Sequence, residues 1–145
     1  MDTIDHQVIS CLLRDGRATY AEIGDVVGLS APAVKRRVDR LLESGAVKGF
    51  TAVVDPTAIG WTTEAYVELY CKGTVAPAEL RRTLERIPEV VGACTVSGAA
   101  DALLHMLAAD ISHLEKAIER VRDNAHVDHT ESVIVLSRLL DRPRS

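Results

Sequence analysis

The chain has 145 residues, 47% of them hydrophobic, a formal net charge of −4 and only 3% aromatics. That length and composition suit one ordinary domain or two small ones, with a core of Val, Leu, Ile and Ala. They exclude a membrane-spanning helix, since no run of about 18 apolar residues occurs, and the acidic MDTIDHQVIS lacks the basic-then-apolar order of a secretory signal.

From the amino end, Ile4, Val8 and Leu12 recur at helical spacing and predict a helix over 2–14, ended by Asp15-Gly16-Arg17. Thr19 and Glu22 then match a capping box, opening a short helix with Tyr20, Ile23 and Val27 on one face and Gly28 as its stop. The stretch GLSAPAVKRRVDRLLESG follows: Leu29 pins a turn, Ser30 caps a third helix, and Pro32 fits its first turn. Val34, Val38, Leu41 and Leu42 form its apolar stripe, while Pro32, Ala33, Arg36 and Arg40 face the other way with Lys35 and Arg37 on the flanks. AVKGFTAVVDP, β-branched and ending at a proline, suits a short strand or wing.

This is the pattern of a helix-turn-helix, and charge supports a double-stranded DNA partner. The deficit of charge lies wholly after residue 50. Between 31 and 48, Lys35, Arg36, Arg37, Arg40 and Lys48 outnumber Asp39 and Glu43. Small residues at the helix tip (Ser30, Pro32, Ala33) allow close approach to base edges; Arg36 suits guanine, and Lys35, Arg37, Arg40 and Lys48 suit phosphate. The competing reading is a solvated face with Arg36–Asp39 and Arg40–Glu43 as ordinary pairs.

Beyond Thr62 the period changes to two. Ala65, Val67, Leu69 and Cys71 alternate with Glu64, Tyr66, Glu68 and Tyr70, a half-buried strand. Pro77 opens a helix with Leu80, Leu84 and Ile87 on one face, stopped by Pro88. EVVGACTVSG and ADALLHMLAA read as strands joined by a tight turn at Gly98, Ile111 to Val121 as a helix, and SVIVLSRLL as a last strand. The order β-α-β-β-α-β predicts a ferredoxin-like α+β domain with helices on one sheet face. The other face is left uncovered and apolar, which points to a partner subunit. The expected division is a DNA-binding domain over 1–49, a linker strand over 50–61 and a sensing and assembly domain over 62–145. Cys11, Cys71 and Cys94 are odd in number and lack metal-type spacing, so free thiols in the cytoplasm are expected, with Cys71 and Cys94 as core thiols.

LLRDGR, the helix-turn-helix and linker GLSAPAVKRRVDRLLESGAVKGFTAVVDPTAIG, the turn VSGAADALL and the strand VDHTESVIVL together resemble the leucine- and asparagine-responsive (Lrp/AsnC) transcription regulators over nearly the whole chain. The resemblance implies a winged helix-turn-helix, a swapped linker strand, and a sensing domain that forms homodimers assembling into octamers. It also implies an amino-acid or similar small-molecule effector held against Ser97, Gly98, Ala99, Ala100 and Asp101, with Asp128, Thr130 and Ser132 nearby. Chemically, Gly98 allows a backbone amide close to a carboxylate, and Asp101 suits an α-ammonium group. The chain departs from the family at Ala102, where many relatives carry an aromatic, which implies a roomier pocket or a lost ligand.

Two alternatives compete. An architectural DNA-compacting protein would share the assembly without the effector response. An enzyme is the other: some relatives of this shape decarboxylate haem precursors, but the basic third helix would then have no role. His126-x-x-His129 with Asp128 is weak as a metal site without further ligands, and neither a metal nor a cofactor is expected.

Overall fold

The structure is a computed structural model that describes residues 1–140. It divides into two compact units, Met1–Val53 and Val54–Leu139.

The first unit is three helices: α1 (Thr3–Arg14), α2 (Tyr20–Val27) and α3 (Ala31–Glu43). Val8, Cys11, Ile23, Val34, Val38 and Leu41 form its buried core, with Ile4, Leu12, Val27 and Leu29 packed around them. Leu42, predicted on the same stripe, is 37% exposed, because the stripe centred on Val34, Val38 and Leu41 already faces α1 and α2. Both α1 and α2 open with complete capping boxes, Asp2 with Asp5 and Thr19 with Glu22. Ser30 occupies the N-cap position of α3 but its side chain makes no capping bond, contrary to expectation.

Two glycines shape the turn. Gly28 ends α2 in the left-handed conformation, φ 72°, where a Cβ is strained. Gly24, inside α2, is buried, and a Cβ there would stand 2.3 Å from the carbonyl oxygen of Leu29. That carbonyl reaches the helix only because Gly24 has no side chain. The turn between α2 and α3 is therefore tight by virtue of a glycine the periodicity of α2 does not require.

The expected linker strand is absent. Residues 48–55 have no regular structure, and a short 3₁₀ turn follows at Pro56–Ile59. Phe50, Val53 and Val54 are exposed. A strand needs a neighbour to complete its ladder, and no other segment among the described residues pairs with this one.

The second unit is a four-stranded antiparallel sheet of β1 (Thr63–Cys71), β2 (Val90–Thr95), β3 (Ala102–Ala108) and β4 (Val127–Ile134), in the order β2-β3-β1-β4. α4 (Pro77–Leu84) and α5 (Ile111–Arg122) supply Leu80, Leu84, Leu114, Ala117, Ile118 and Val121 to a core shared with Ala65, Val67, Leu69, Leu104 and Met106. The β-α-β-β-α-β order is as predicted. Three boundaries move. α4 ends at Leu84, before Ile87 and Pro88, although Ile87 is buried as expected. The joint between β2 and β3 is a six-residue loop, 96–101, rather than a tight turn. β4 begins at Val127 and stops at Ile134, well before Leu140, because its ladder partner β1 runs out: Ala65 pairs with Ile134, and Val135 N–H reaches the Glu64 carbonyl.

The face of the sheet away from the helices is open, but it is not simply apolar. Tyr66 stacks on His105 with centroids 4.9 Å apart, and Tyr70 on His129 at 4.2 Å. Glu68 and Glu131 stand directly opposite each other on β1 and β4. Cys94, expected in the core, is exposed on edge strand β2, Cys71 is half-buried and Cys11 is buried.

Candidate functional site

The candidate nucleic-acid interface is on α3. Its apolar stripe is consumed by the core, so the remaining side chains must face outward. Ser30, Pro32, Lys35, Arg36 and Arg40 are exposed, as is Lys48 beyond the helix, and Ala33 is half-buried at the tip. The pairs of the competing reading, Arg36–Asp39 and Arg40–Glu43, do not form. Instead Lys35 Nζ holds Asp39 Oδ2 at 2.6 Å, and this contact raises the lysine pKa. Arg36, Arg40 and Lys48 have no ion-pair partner among the described residues.

Arg37 is not with them. Its Nη1 donates to Asp2 Oδ2 at 2.8 Å and to Asp5 Oδ1 at 2.7 Å, tying α3 to the capping box of α1. Backbone amides of the box, and then this guanidinium, hold both carboxyls below the ordinary carboxylate range. The sequence groups Lys35, Arg36 and Arg37 side by side on one helix, with Arg40 in its last turn; the fold leaves Lys35 paired, turns Arg37 inward, and leaves Arg36 and Arg40 without ion-pair partners among the described residues.

Of the residues expected to hold an effector, Asp101 and Thr130 lie toward one end of the sheet, and Ser132 pairs with Val67 in the middle of β1. Asp101 N–H donates to the Leu69 carbonyl (2.9 Å), and Asp101 Oδ2 accepts the Cys71 N–H (2.7 Å), which clamps the 96–101 loop to the end of β1. Burial, with the Asp101 carboxylate beside it, pushes the Cys71 thiol pKa up. Gly98 has no left-handed φ, and a Cβ there would meet open space, so nothing within this chain demands a glycine. Ser97 and Ala99 are exposed and Ala100 is buried. Across the sheet, Thr130 is buried and its Oγ1 accepts a hydrogen bond from Arg122 Nε at 2.8 Å. Asp128 and Ser132 are exposed, Asp128 bonding the Nδ1 of His129 at 2.8 Å. Ala102 is buried against a cleft of about 450 Å³ between α4 and β2, lined by Pro77, Leu80, Leu84 and Ala93 among others. None of Ser97, Gly98, Ala99, Ala100, Asp101, Asp128, Thr130 or Ser132 lines this cleft, which lies on the helix side of the sheet.

Residues 1–42 match the AsnC-type helix-turn-helix domain and residues 64–145 the Lrp/AsnC ligand binding domain. The chain belongs to the Lrp/AsnC family of transcription regulators. It is 57% identical over 142 residues to the HTH-type transcriptional regulator Rv2324 of Mycobacterium tuberculosis, covering 98% of this chain and 96% of that one. Among solved structures, it is similar to the feast or famine regulatory protein Rv3291c of M. tuberculosis complexed with L-methionine. That likeness has a TM-score of 0.91 and 33% identity, over 99% and 97% of the two chains. Escherichia coli AsnC, at 22% identity and a TM-score of 0.89 over 98% and 96%, shares the fold. Lrp/AsnC proteins are DNA-binding regulators rather than enzymes, which removes support from the porphyrin reading.

Sequence reasoning missed three features of this Lrp/AsnC chain. One is Gly24, for which the signal was a glycine in a helix interior. A second is Arg122, whose helical position gave no hint of Thr130. The third is a buried corner at Glu89, which is only 6% exposed. His113 Nδ1 accepts the Ala109 N–H at 3.1 Å, which leaves the ring proton on Nε2 to donate to Glu89 Oε1 at 2.7 Å; Arg120 Nη2 adds a contact at 2.5 Å. Burial alone would raise the Glu89 pKa, but His113, the backbone and Arg120 outweigh it, and the net shift is downward.

Proposed function

We propose that the protein is an effector-responsive regulator that binds DNA as a homodimer, with two copies of α3 entering successive major grooves about 34 Å apart. The observation that carries this reading is the outward face of α3, where Arg36 and Arg40 are exposed beside the small residues of the helix tip and have no ion-pair partners among the described residues. Arg36 reads base edges; Ser30, Pro32 and Ala33 permit the approach; Lys35, Arg40 and Lys48 contact phosphate. Arg37 positions the helix from behind through α1.

Dimers form through the open sheet face and the unpaired 48–55 segment, whose exposed Phe50, Val53 and Val54 await a second copy. The dimers assemble further, to an octamer. Its effector is an amino acid or a similar small molecule, bound at the 96–101 loop with Asp101 on the ammonium group. L-methionine in the complex with a regulator 33% identical supports that class. Such a regulator works in the cytoplasm, alongside the DNA.

The test is fluorescence anisotropy on DNA from upstream of the protein's own gene, with competitor DNA, repeated across the twenty amino acids. Specific binding shifted by one or a few of them is the expected result. Tight but indiscriminate binding that no amino acid moves would favour the architectural role, and absence of binding at moderate salt would sink the DNA reading.

A further inference from the structure

The sheet has two edge strands, β2 and β4, and they are defended differently. An edge offers unpaired N–H and C=O groups, and a sheet that is to stay single blunts them with charge or proline. β4 carries the exposed charged or titratable side chains Asp128, His129 and Glu131. β2 carries no charged residue and no proline from Val90 to Thr95, and exposed Val91 and Val96 add apolar surface there.

The ladder identifies which backbone groups are on offer. At one end of the β2–β3 pair Val96 N–H reaches the Asp101 carbonyl, and at the other Leu107 N–H reaches the Glu89 carbonyl. Bonded and non-bonded pairs alternate along an antiparallel ladder. Cys94, opposite Leu103, therefore turns its backbone groups toward β3, whereas Ala93 and Thr95 turn theirs to the open edge. The side chains of Ala93 and Thr95 share the helix side of the sheet with their partners Leu104 and Ala102, yet both are exposed. Helix α4 leaves them uncovered: the cleft of about 450 Å³ lies between, with Arg81 and Glu85 in its lining. These two are exposed, oppositely charged and one helical turn apart.

We propose that β2 is the edge by which dimers join, pairing antiparallel with β2 of a second copy about a two-fold axis at Cys94. In that register Ala93 and Thr95 exchange backbone bonds with Thr95 and Ala93 of the second copy. The sheet becomes continuous over eight strands, four from each copy. A neutral strand pairs with itself at no like-charge cost, whereas β4 against β4 would gather Asp128 and Glu131 of both copies along one seam. The axis also turns the two α4 rims toward each other, Arg81 facing Glu85 of the second copy and the reverse. The surface is thus complementary to itself, as a two-fold contact requires. The inference rests on the reading above that dimers assemble further, and it assigns that contact to the sheet edge, leaving the open face to the dimer.

The test is sedimentation of the full chain over a range of concentrations, with the melting temperature of each variant. Wild type should run as a species larger than a dimer. Ala93→Lys sets a cation in the seam on the side away from the open face. It should raise the concentration needed for assembly at least about tenfold while the dimer persists. Thr95→Lys serves if that variant fails to fold. Arg81→Glu should weaken assembly, and adding Glu85→Arg should restore it, because the reversed pair is again self-complementary; an edge built for a foreign peptide would show no such rescue. Oxidation with diamide, which takes up the two thiol hydrogens, should link two copies through Cys94. In this register the Cα atoms of the two cysteines lie about 4.5 Å apart, within disulfide range. The link should vanish in Cys94→Ser and in Ala93→Lys. Assembly unchanged in the lysine variants, a failed rescue or an absent link overturns this inference alone. A wild type that stops at the dimer overturns the assembly reading with it.

Discussion

Arg36 and Arg37 are neighbours in sequence with opposite fates in the fold. Arg36 is exposed on α3 with no ion-pair partner among the described residues, whereas Arg37 is held by Asp2 and Asp5 at the start of α1. Replacing Arg36 with alanine is expected to relax operator specificity and cost roughly 1–3 kcal/mol, if the contact is bidentate to guanine. Lys48→Ala should weaken binding to every sequence alike and flatten the salt dependence by about one unit of slope. Anisotropy titrations on operator and scrambled DNA at several salt concentrations separate the two; a uniform loss for both would reduce Arg36 to a phosphate contact. Arg37→Ala should act on stability instead. The folded pKa values of Asp2 and Asp5 are lowered, so their contribution is present above the usual carboxylate range and is lost as pH falls through the lowered values. The variant should therefore lose stability at neutral pH, with the loss shrinking in acid. Urea unfolding of the helical signal at about pH 7 and about pH 3 measures it, and an equal loss at both would show that the carboxylates are not what Arg37 stabilises.

At the scale of elements, what was legible in the sequence was whatever short-range chemistry decides. Thr19 and Glu22 sit three apart, and the box they predict is formed. Ala65, Val67 and Leu69 alternate, and all three are buried. What escaped depends on a neighbour from elsewhere in the chain. β4 lies several residues earlier than its apolar run suggested, because a strand extends only as far as β1 offers it hydrogen bonds. Gly24 escaped for the same kind of reason, since its role is set by the Leu29 carbonyl beyond the helix end. Helix propensity would favour alanine at that position by about 1 kcal/mol, yet the added Cβ would meet backbone 2.3 Å away, and backbone does not swing aside as a flexible side chain does. The clash wins. Gly24→Ala is expected to lower the melting temperature and to abolish specific DNA binding together. An unchanged or raised melting temperature would show that the turn opens at no cost.

The proposed dimer would hold more than one chain contains. An isolated copy leaves the 48–55 segment unpaired, the open face of the sheet uncovered, and a single recognition helix where a two-fold operator needs two. The dimer reading makes a geometric prediction about DNA. Inserting about five base pairs between the half-sites rotates one of them to the far side of the duplex and should abolish cooperative binding; about ten should restore much of it, because the repeat is one helical turn. Footprinting on a series of spacer lengths checks this. A smooth decline with no periodicity would mean that the two α3 helices bind independently.

Local and periodic rules determined most of this protein from its sequence: three helices and a capped turn, a basic third helix with its apolar stripe, and the β-α-β-β-α-β order of the second unit. Each depends on residues within about two turns or a few strand positions of one another, where spacing alone sets the face. Tertiary structure decided which of the gathered charges are free. Arg37 found its partners more than thirty positions away on α1, and Thr130 found its own on α5. It also decided where β4 stops and why Gly24 cannot carry a side chain. Charge and hydrogen bonding act through space, so a side chain's availability is settled only when the chain has brought its competitors within reach.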